Sequence, residues 1–302
     1  MLLKSRSESD ELMAMRYLST RLDLPEKEKF HYSILEKGYE GEVKFDQLTE
    51  TLSEERFIIN DLLFEVNNSH FQIDSLIISQ GGIHLLDIKN FEGDYYLESD
   101  KFFSRATDRE YKNPIIQLKR SETLFRQLLQ NLKFNYVVEP FVIFINPEFT
   151  LYRAPMDQPI ILPTQVNRFL RDLNKTPSTL SDGHRRLAQT LISLHQTKNP
   201  FAKLPRFDYD ELHKGMYCKA CGSFLLYKKN NGFVCGRCGV SESLEAAILR
   251  SVREFKLLFP ERKITTQSIY EWCKTDLSMR TFIRILKKNY TTVGKSKNTY
   301  YK

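Results

Sequence analysis

Two charged residues, Asp87 and Lys89, interrupt a run that otherwise has the composition of a buried strand, IHLLDIKN at 83–90. An isolated buried charge costs several kcal/mol or more, so such a pair needs compensation. Alternate residues of a strand share a face, which puts both charges on the side of Ile83 and Leu85. A divalent cation and a phosphate group would compensate them.

Further acids precede this run. Asp74 lies in the strand-like segment FQIDSLIIS, and the QGG turn between the segments favours antiparallel pairing that brings Asp74 near Asp87. Glu42 lies on the apolar stripe of a predicted helix, three residues before Phe45. Carboxylates suit hard cations, so Asp74 and Asp87 are predicted ligands of Mg²⁺ or Mn²⁺. Lys89 would position or deprotonate a water, or stabilise charge on the phosphate.

Each residue also has a purely structural interpretation. Asp87 and Lys89 form an inert pair if their strand is a solvated edge, and Glu42 is a favourable charge near a helix start. Asp74 is an ordinary turn or strand-end residue. The metal hypothesis is favoured because all of them occur together, in this order and on inward faces.

Five blocks of sequence resemble the nuclease-related domain, NERD, a family placed among the PD-(D/E)xK nucleases. The blocks are GYEGE (38–42), NDLLFE (60–65), QIDSLIIS (72–79), GIHLLDIKNFEGDY (82–95) and NPIIQ (113–117). The resemblance covers roughly residues 36–150. It implies a restriction-endonuclease-like core and metal-dependent cleavage of phosphodiester bonds.

The resemblance also implies roles for five residues. Glu42 matches the helix-borne acid, Asp74 the first metal-binding aspartate, and Asp87 and Lys89 the acid and lysine of the motif. Gln117 resembles the glutamine that positions substrate or a catalytic group. The motif's acid is Asp here, one methylene shorter than the permitted Glu.

Four cysteines predict a metal site of a different kind. Cys218 and Cys221 form one C-x-x-C pair, Cys235 and Cys238 a second, and thirteen residues separate the pairs. Two such knuckles supply the tetrahedral thiolate set of structural zinc. We therefore predict a Cys₄ zinc ribbon with a hairpin at 230–232, and we expect Cys273 to be an ordinary half-buried cysteine.

Basic residues are concentrated at the end of the chain. Residues 250–302 hold 13 Lys/Arg and 4 Asp/Glu, whereas the rest is close to neutral. The order helix, helix, turn, helix, hairpin predicts a winged-helix-like module that binds nucleic acid. The predicted contacts, mainly to phosphate, come from Arg280, Arg284, Lys287, Lys288, Lys295 and Lys297. A helical bundle with a solvated basic face is the alternative.

The remaining pattern predicts an α/β fold, with a mixed sheet flanked by helices. The expected segments are a helical lead-in at 1–35, the nuclease-like domain at 36–175, a helix and linker at 176–214, the zinc ribbon at 215–240 and the basic winged-helix-like domain at 241–302. A meander of four strands is expected over 56–99, before a helix at 113–132.

Composition excludes two classes of protein. No apolar run approaches the roughly 20 residues that span a bilayer, and the charged start MLLKSRSESDELM does not resemble a secretory signal. Five cysteines fit a reducing compartment, so we expect a soluble cytoplasmic protein without a membrane partner.

The sequence therefore predicts a Mg²⁺- or Mn²⁺-dependent nuclease, with DNA as the favoured substrate. The zinc ribbon and the basic module would hold the nucleic acid. The alternative is a non-catalytic nucleic-acid-binding or regulatory protein built from the same modules.

Overall fold

The helices and strands come from a computed structural model, which describes residues 1–53, 55–294 and 299–302. The helices are α1 (Asp10–Arg21), α2 (Glu26–Thr49), α3 (Pro114–Asn131), α4 (Pro163–Lys175), α5 (Asp182–Leu194), α6 (Leu244–Leu258), α7 (Thr266–Cys273) and α8 (Met279–Asn289). The strands are β1 (Leu2–Lys4), β2 (Phe57–Val66), β3 (Ser69–Ser79), β4 (Gly82–Lys89), β5 (Gly93–Glu98), β6 (Lys101–Ser104), β7 (Glu110–Tyr111), β8 (Val138–Phe144), β9 (Phe149–Tyr152), β10 (Ile160–Ile161), β11 (Leu226–Lys229), β12 (Gly232–Cys235), β13 (Ser241–Ser243), β14 (Thr292–Val293) and β15 (Tyr300–Tyr301).

The chain divides into two compact units. Unit 1 consists of Met1–Glu8 and Ser33–Phe201, and unit 2 of Ser9–Tyr32 and Ala202–Lys302. The predicted lead-in is not helical throughout, because β1 precedes α1. The strand β1 has only three residues, too few for an alternating strand pattern to be recognised in the sequence. The boundaries of the five predicted segments stay predictions.

Unit 1 is built on a mixed sheet, which confirms the predicted fold class. Its order is β1-β2-β3-β4-β8-β10. The strands β2, β3 and β4 form an antiparallel meander, whereas β1 runs parallel to β2, and β8 parallel to β4 and β10. The crossover from β4 to the parallel strand β8 includes α3, as parallel neighbours require a long connection.

Both faces of this sheet are covered by apolar side chains. One face forms a core with Leu85, Phe125 of α3 and Leu187 of α5. The other forms a core with Ile88, Phe45 of α2 and Val166 of α4. Since β4 contributes alternate residues to the two cores, its Asp87 and Lys89 emerge on the α3 side.

The prediction that the segment 94–99 continues the meander is wrong. Gly93 has a φ of 93°, a conformation open to glycine, and there the chain leaves the first sheet. The strand β5 pairs instead in a second sheet of order β7-β6-β5-β9. Its Tyr95 stacks on Phe102 with 4.9 Å between ring centroids. Aromatic packing favours the second sheet, and the alternation of apolar and polar residues does not indicate which sheet a strand joins.

Unit 2 contains a small sheet of order β11-β12-β13 and the helices α1, α6, α7 and α8. The strands β14 and β15 pair after α8, which gives the winged-helix order. Arg21 of α1 and Glu254 of α6 form a fully buried ion pair, with Nε–Oε1 and Nη2–Oε2 distances of 2.7 and 2.8 Å. Cys273 is fully buried rather than half-buried.

No helix within the described ranges has both the length and the apolarity that a membrane crossing requires.

Candidate active site

Asp87 and Lys89 lie side by side at the end of β4. The Lys89 ammonium Nζ donates to Asp87 Oδ1 at 3.0 Å and to Gln117 Oε1 at 3.2 Å. Gln117 belongs to the first turn of α3, the helix that covers this face of the sheet. The side chains of Lys89 and Asp87 are 18% and 16% exposed. The lysine is therefore held between the neighbouring acid and the predicted glutamine.

Asp74 joins this pair through the β3–β4 register. Ser75 pairs with Leu86, so the next position of each strand holds an aspartate, Asp74 and Asp87. The Asp74 Oδ2 atom accepts a hydrogen bond of 2.7 Å from the Ile88 backbone N–H. The antiparallel pairing inferred from the QGG turn is thus present in the structure.

Glu42 comes from α2, on the other side of the sheet. The helix can approach the end of β4 because residue 41 is glycine: a Cβ there would lie 2.5 Å from Asn90 Cβ. Within the described residues, Glu42, Asp74 and Asp87 do not form a group whose ligand atoms all lie within 4.8 Å of one another. Glu42 binds Arg6 instead.

Arg6 is a member of this cluster that sequence reasoning missed. Its Nη1 donates to Glu42 Oε2 at 2.7 Å, and its Nε and Nη2 each donate to Asp46 at 3.0 Å. A fourth bond of 2.8 Å joins Nη2 to the Asp74 carbonyl oxygen. The helical apolar stripe that marked Glu42 does not include Asp46, yet the two acids share one guanidinium at positions i and i+4 of α2.

Asp61 is a second missed acid. It stands in β2 with a φ of 55°, an uncommon conformation for a residue other than glycine. Its Oδ2 atom lies 3.6 Å from Lys4 Nζ, and its Oδ1 atom accepts from Gln72 Nε2 at 3.3 Å. The NDLLFE block contains Asp61, but its apolar pattern does not mark the residue as part of a site.

Burial raises the pKa of two acids of the cluster. Burial, with the charge of Asp74 adding to it, raises the pKa of Glu42 to about 8 against the opposing effect of Arg6. Burial also raises the pKa of Asp87 to about 6, against the attraction of Lys89 and with the repulsion of Asp74. A concentration of negative charge is costly here, and a cation would relieve it.

The Lys89 ammonium remains charged. Burial is the largest influence on its pKa and lowers it. The negative charges of Asp87, Asp74 and Glu42 and the hydrogen bond to Asp87 together outweigh that effect, so the pKa of Lys89 lies above its ordinary value. Lys89 is thus a fixed positive charge rather than a ready base.

The carboxylates of Asp74 and Asp87, at one end of the acid cluster, are suitable ligands for a divalent cation. Carboxylate oxygens are the ligands that Mg²⁺ and Mn²⁺ prefer. Asp87 Oδ2 is buried and 3.0 Å from Lys89 Nζ, close enough for an ion pair, yet no described residue forms a hydrogen bond with it. An acceptor left in this state has capacity for a cation.

A family model decides the relationship that the blocks suggested. The model described as "Nuclease-related domain", NERD, matches residues 37–145. This segment is a nuclease-related domain. It contains all five predicted site residues, Glu42 to Gln117, whereas Arg6 lies outside it.

Two further comparisons add little. The search of curated proteins finds no match. A crystal structure of protein VC1899 from Vibrio cholerae is similar at a TM-score of 0.24 and 11% identity. The match covers 57% of this chain and 37% of that one, so the chain spans well under half of its length.

A second candidate metal site lies outside the nuclease-related domain, in unit 2. The sulfurs of Cys218, Cys221, Cys235 and Cys238 all lie within 4.8 Å of one another. The Sγ–Sγ distance is 3.5 Å for Cys218–Cys238 and 3.6 Å for Cys221–Cys235. Tetrahedral Zn–S bonds of ~2.3 Å place sulfurs roughly 3.8 Å apart, so the cluster fits zinc and is compatible with the predicted ribbon.

The hairpin of the ribbon turns as predicted. Lys229 pairs with Gly232, so Asn230 and Asn231 form a two-residue turn, and Asn230 has the positive φ of 52° that such a turn needs. The third strand, β13, was not predicted. Its partner β12 pairs Phe233 with Glu242.

The predicted basic residues of α8 share the exposed face of that helix. Phe282, Ile285 and Leu286 are buried on the opposite face. Lys288 is partly neutralised, because its Nζ lies 2.9 Å from Glu245 Oε1. The exposed basic residues are Arg280, Arg284, Lys287 and Lys288. Lys295 and Lys297 lie outside the described residues.

Proposed function

We propose that the protein is a metal-dependent nuclease that cleaves phosphodiester bonds of nucleic acid, DNA most of all. The observation that carries this proposal is the Lys89 ammonium, which lies between Asp87 and Gln117 at the end of a strand whose neighbour supplies Asp74. An acid pair can hold the divalent cation of metal-assisted phosphate ester hydrolysis, and the lysine beside it adds a fixed positive charge for the phosphate.

Asp74 and Asp87 would hold the divalent cation. Such an ion, when bound, polarises the phosphodiester and lowers the pKa of a water. Asp87 must lose its proton to bind it, and the adjacent Lys89 favours the ionised carboxylate. Lys89 thus offsets the repulsion between two closely placed aspartates.

Lys89 would act on the substrate as a positioned positive charge. Its hydrogen bonds to Asp87 and Gln117 hold the long side chain in one arrangement. A preorganised cation stabilises negative charge that develops on the phosphate, without reorganising during the reaction. Its raised pKa supports this role over removal of a proton from water.

Nucleic acid would be held by unit 2. The exposed face of α8 offers Arg280, Arg284 and Lys287 to phosphates, with a smaller contribution from the paired Lys288. Contacts of this kind give affinity and salt dependence rather than sequence choice. The zinc ribbon would add a second surface that binds the same nucleic acid.

The test is a cleavage assay on a panel of nucleic acids. Linear, circular, single-stranded and branched DNA, together with RNA, are incubated with the full chain and Mg²⁺ or Mn²⁺. We expect metal-dependent cleavage that is lost in Asp87→Asn. Cleavage of none of these substrates, or equal cleavage by the variant, would contradict the proposal. Binding without cleavage would support the alternative of a non-catalytic nucleic-acid-binding protein.

A further inference from the structure

Residues 1–8 deliver a cation into the acid cluster from outside the nuclease-related domain. The strand β1 runs parallel to the edge strand β2 and pairs Leu2 with Ile58 and Lys4 with Ile59. Two residues later, the Arg6 side chain is only 3% exposed. The backbone of this segment is therefore anchored in the sheet, and Arg6 is not a loosely held surface charge.

All three guanidinium nitrogens of Arg6 donate hydrogen bonds. Its four hydrogen bonds, of 2.7 to 3.0 Å, involve Nε, Nη1 and Nη2 and reach Glu42, Asp46 and the Asp74 carbonyl oxygen. The planar fork of arginine suits two carboxylates at once, and the group stays charged at any ordinary pH. Glu42 and Asp46 thus already have a resident cation.

The charges of the cluster indicate how much additional positive charge it can bind. With all four acids ionised, Glu42, Asp46, Asp74 and Asp87 carry four negative charges, against two positive charges on Arg6 and Lys89. This is an upper limit, because the pKa of Glu42 is about 8. The excess is therefore two negative charges at most, which one divalent cation neutralises. A nearby pair, Lys4 and Asp61, adds nothing, since its atoms lie 3.6 Å apart with opposite charges.

We propose that Arg6 replaces a second metal ion in this site. Its guanidinium occupies the Glu42–Asp46 end of the cluster, and one divalent cation binds at the Asp74–Asp87 end. Two-metal sites hold their ions about 3.5–4 Å apart and need carboxylates that both ions share. Glu42 is committed to Arg6, so it does not complete a second coordination sphere. The inference rests on the proposed function, because it concerns the same metal site.

The number of bound Mn²⁺ ions tests this inference. Isothermal titration calorimetry is carried out on the zinc-loaded full chain and on Arg6→Gln, which removes the charge but keeps a polar side chain. The matched control is Lys4→Gln, which removes an equal charge from the same strand. We expect one Mn²⁺ in the wild type and in Lys4→Gln. In Arg6→Gln we expect a second Mn²⁺, or binding of the first that is at least tenfold tighter.

The inference would be overturned by two Mn²⁺ in the wild type, or by an Arg6→Gln variant that binds Mn²⁺ as the wild type does. If Arg6→Gln does not fold, the wild-type count still decides, and Arg6→Lys, which keeps the charge, should also bind one ion. Failure of the proposed function has a different signature, since it would abolish cleavage and leave these ion counts readable. No Mn²⁺ in either protein would overturn both.

Discussion

The acid site of unit 1 and the four-cysteine site of unit 2 differ in what holds their ligands in place. The cysteines lie within 21 residues of sequence, in and beside a three-stranded sheet with few large apolar side chains. Asp74, Asp87 and Lys89 stand on a six-stranded sheet that is covered on both faces, and Glu42 comes from the helix α2. A cation should therefore be part of the fold in the four-cysteine site and an addition to a finished fold in the acid site.

Loss of zinc should give the largest effect. Cys221→Ser removes one of four ligands, and structural zinc contributes about 10–16 kcal/mol in zinc-finger peptides. We expect zinc content to fall from one ion per chain to near zero, with fast hydrogen exchange across residues 215–240. Cys273→Ala is the matched control, since this cysteine is not in the cluster. Full zinc content in Cys221→Ser would break the comparison.

A change at the acid site should leave the fold intact. Asp87 is costly to ionise where it lies, and its Oδ2 atom lacks a hydrogen bond from any described residue. Asp87→Asn removes this carboxyl but also the charged partner of Lys89, and the two effects oppose each other. We therefore expect the variant to stay folded with an unfolding temperature close to that of the wild type, while calorimetry shows that it no longer binds Mn²⁺. A large drop in the unfolding temperature would show that Asp87 supports the fold, as the cysteines do.

The pH dependence of stability should reveal Glu42. Its pKa is about 8 in the folded protein and 4.5 as its reference value, so the folded state binds the proton more tightly. Without metal, the free energy of unfolding should then fall as pH rises from about 4.5 to about 8, by a few kcal/mol at most. Glu42→Gln should flatten this slope in urea titrations at pH 5 and pH 8. An unchanged slope would contradict the assignment.

Single substitutions of basic residues in α8 should have the smallest effects, because each removes one phosphate contact. Arg284→Gln should weaken DNA binding at every sequence and reduce the salt slope by about one. Lys288→Gln should cost less, because Lys288 is already paired with Glu245. Fluorescence anisotropy at several salt concentrations compares the two variants. Equal losses would show that the ion pair with Glu245 opens when DNA binds.

The same contrast explains what could be predicted from the sequence. Cys218 to Cys238 were assigned by spacing, because each knuckle is a local structure. Asp74, Asp87 and Lys89 required one inferred strand pairing, and the QGG turn made that inference possible. Local patterns were sufficient for both groups.

Long-range contacts were beyond the reach of such patterns. Arg6 is separated by 36 residues from Glu42, by 40 from Asp46 and by 68 from Asp74, so no local period connects them. The strand β5 left the meander because aromatic packing in a second sheet competed with continued pairing. Both features depend on tertiary contacts between segments whose own patterns are unremarkable.

The most direct test of the central claim is the rate of DNA cleavage by Lys89→Gln. The variant removes the positive charge that lies beside Gln117 and keeps a polar side chain, and Lys101→Gln removes an exposed lysine of the same domain as a control. With Mn²⁺ present, the proposed function predicts that Lys89→Gln loses roughly 10²–10³ in rate, as for other preorganised electrostatic contacts, while Lys101→Gln cleaves like the wild type. Equal rates for Lys89→Gln and the wild type would contradict it.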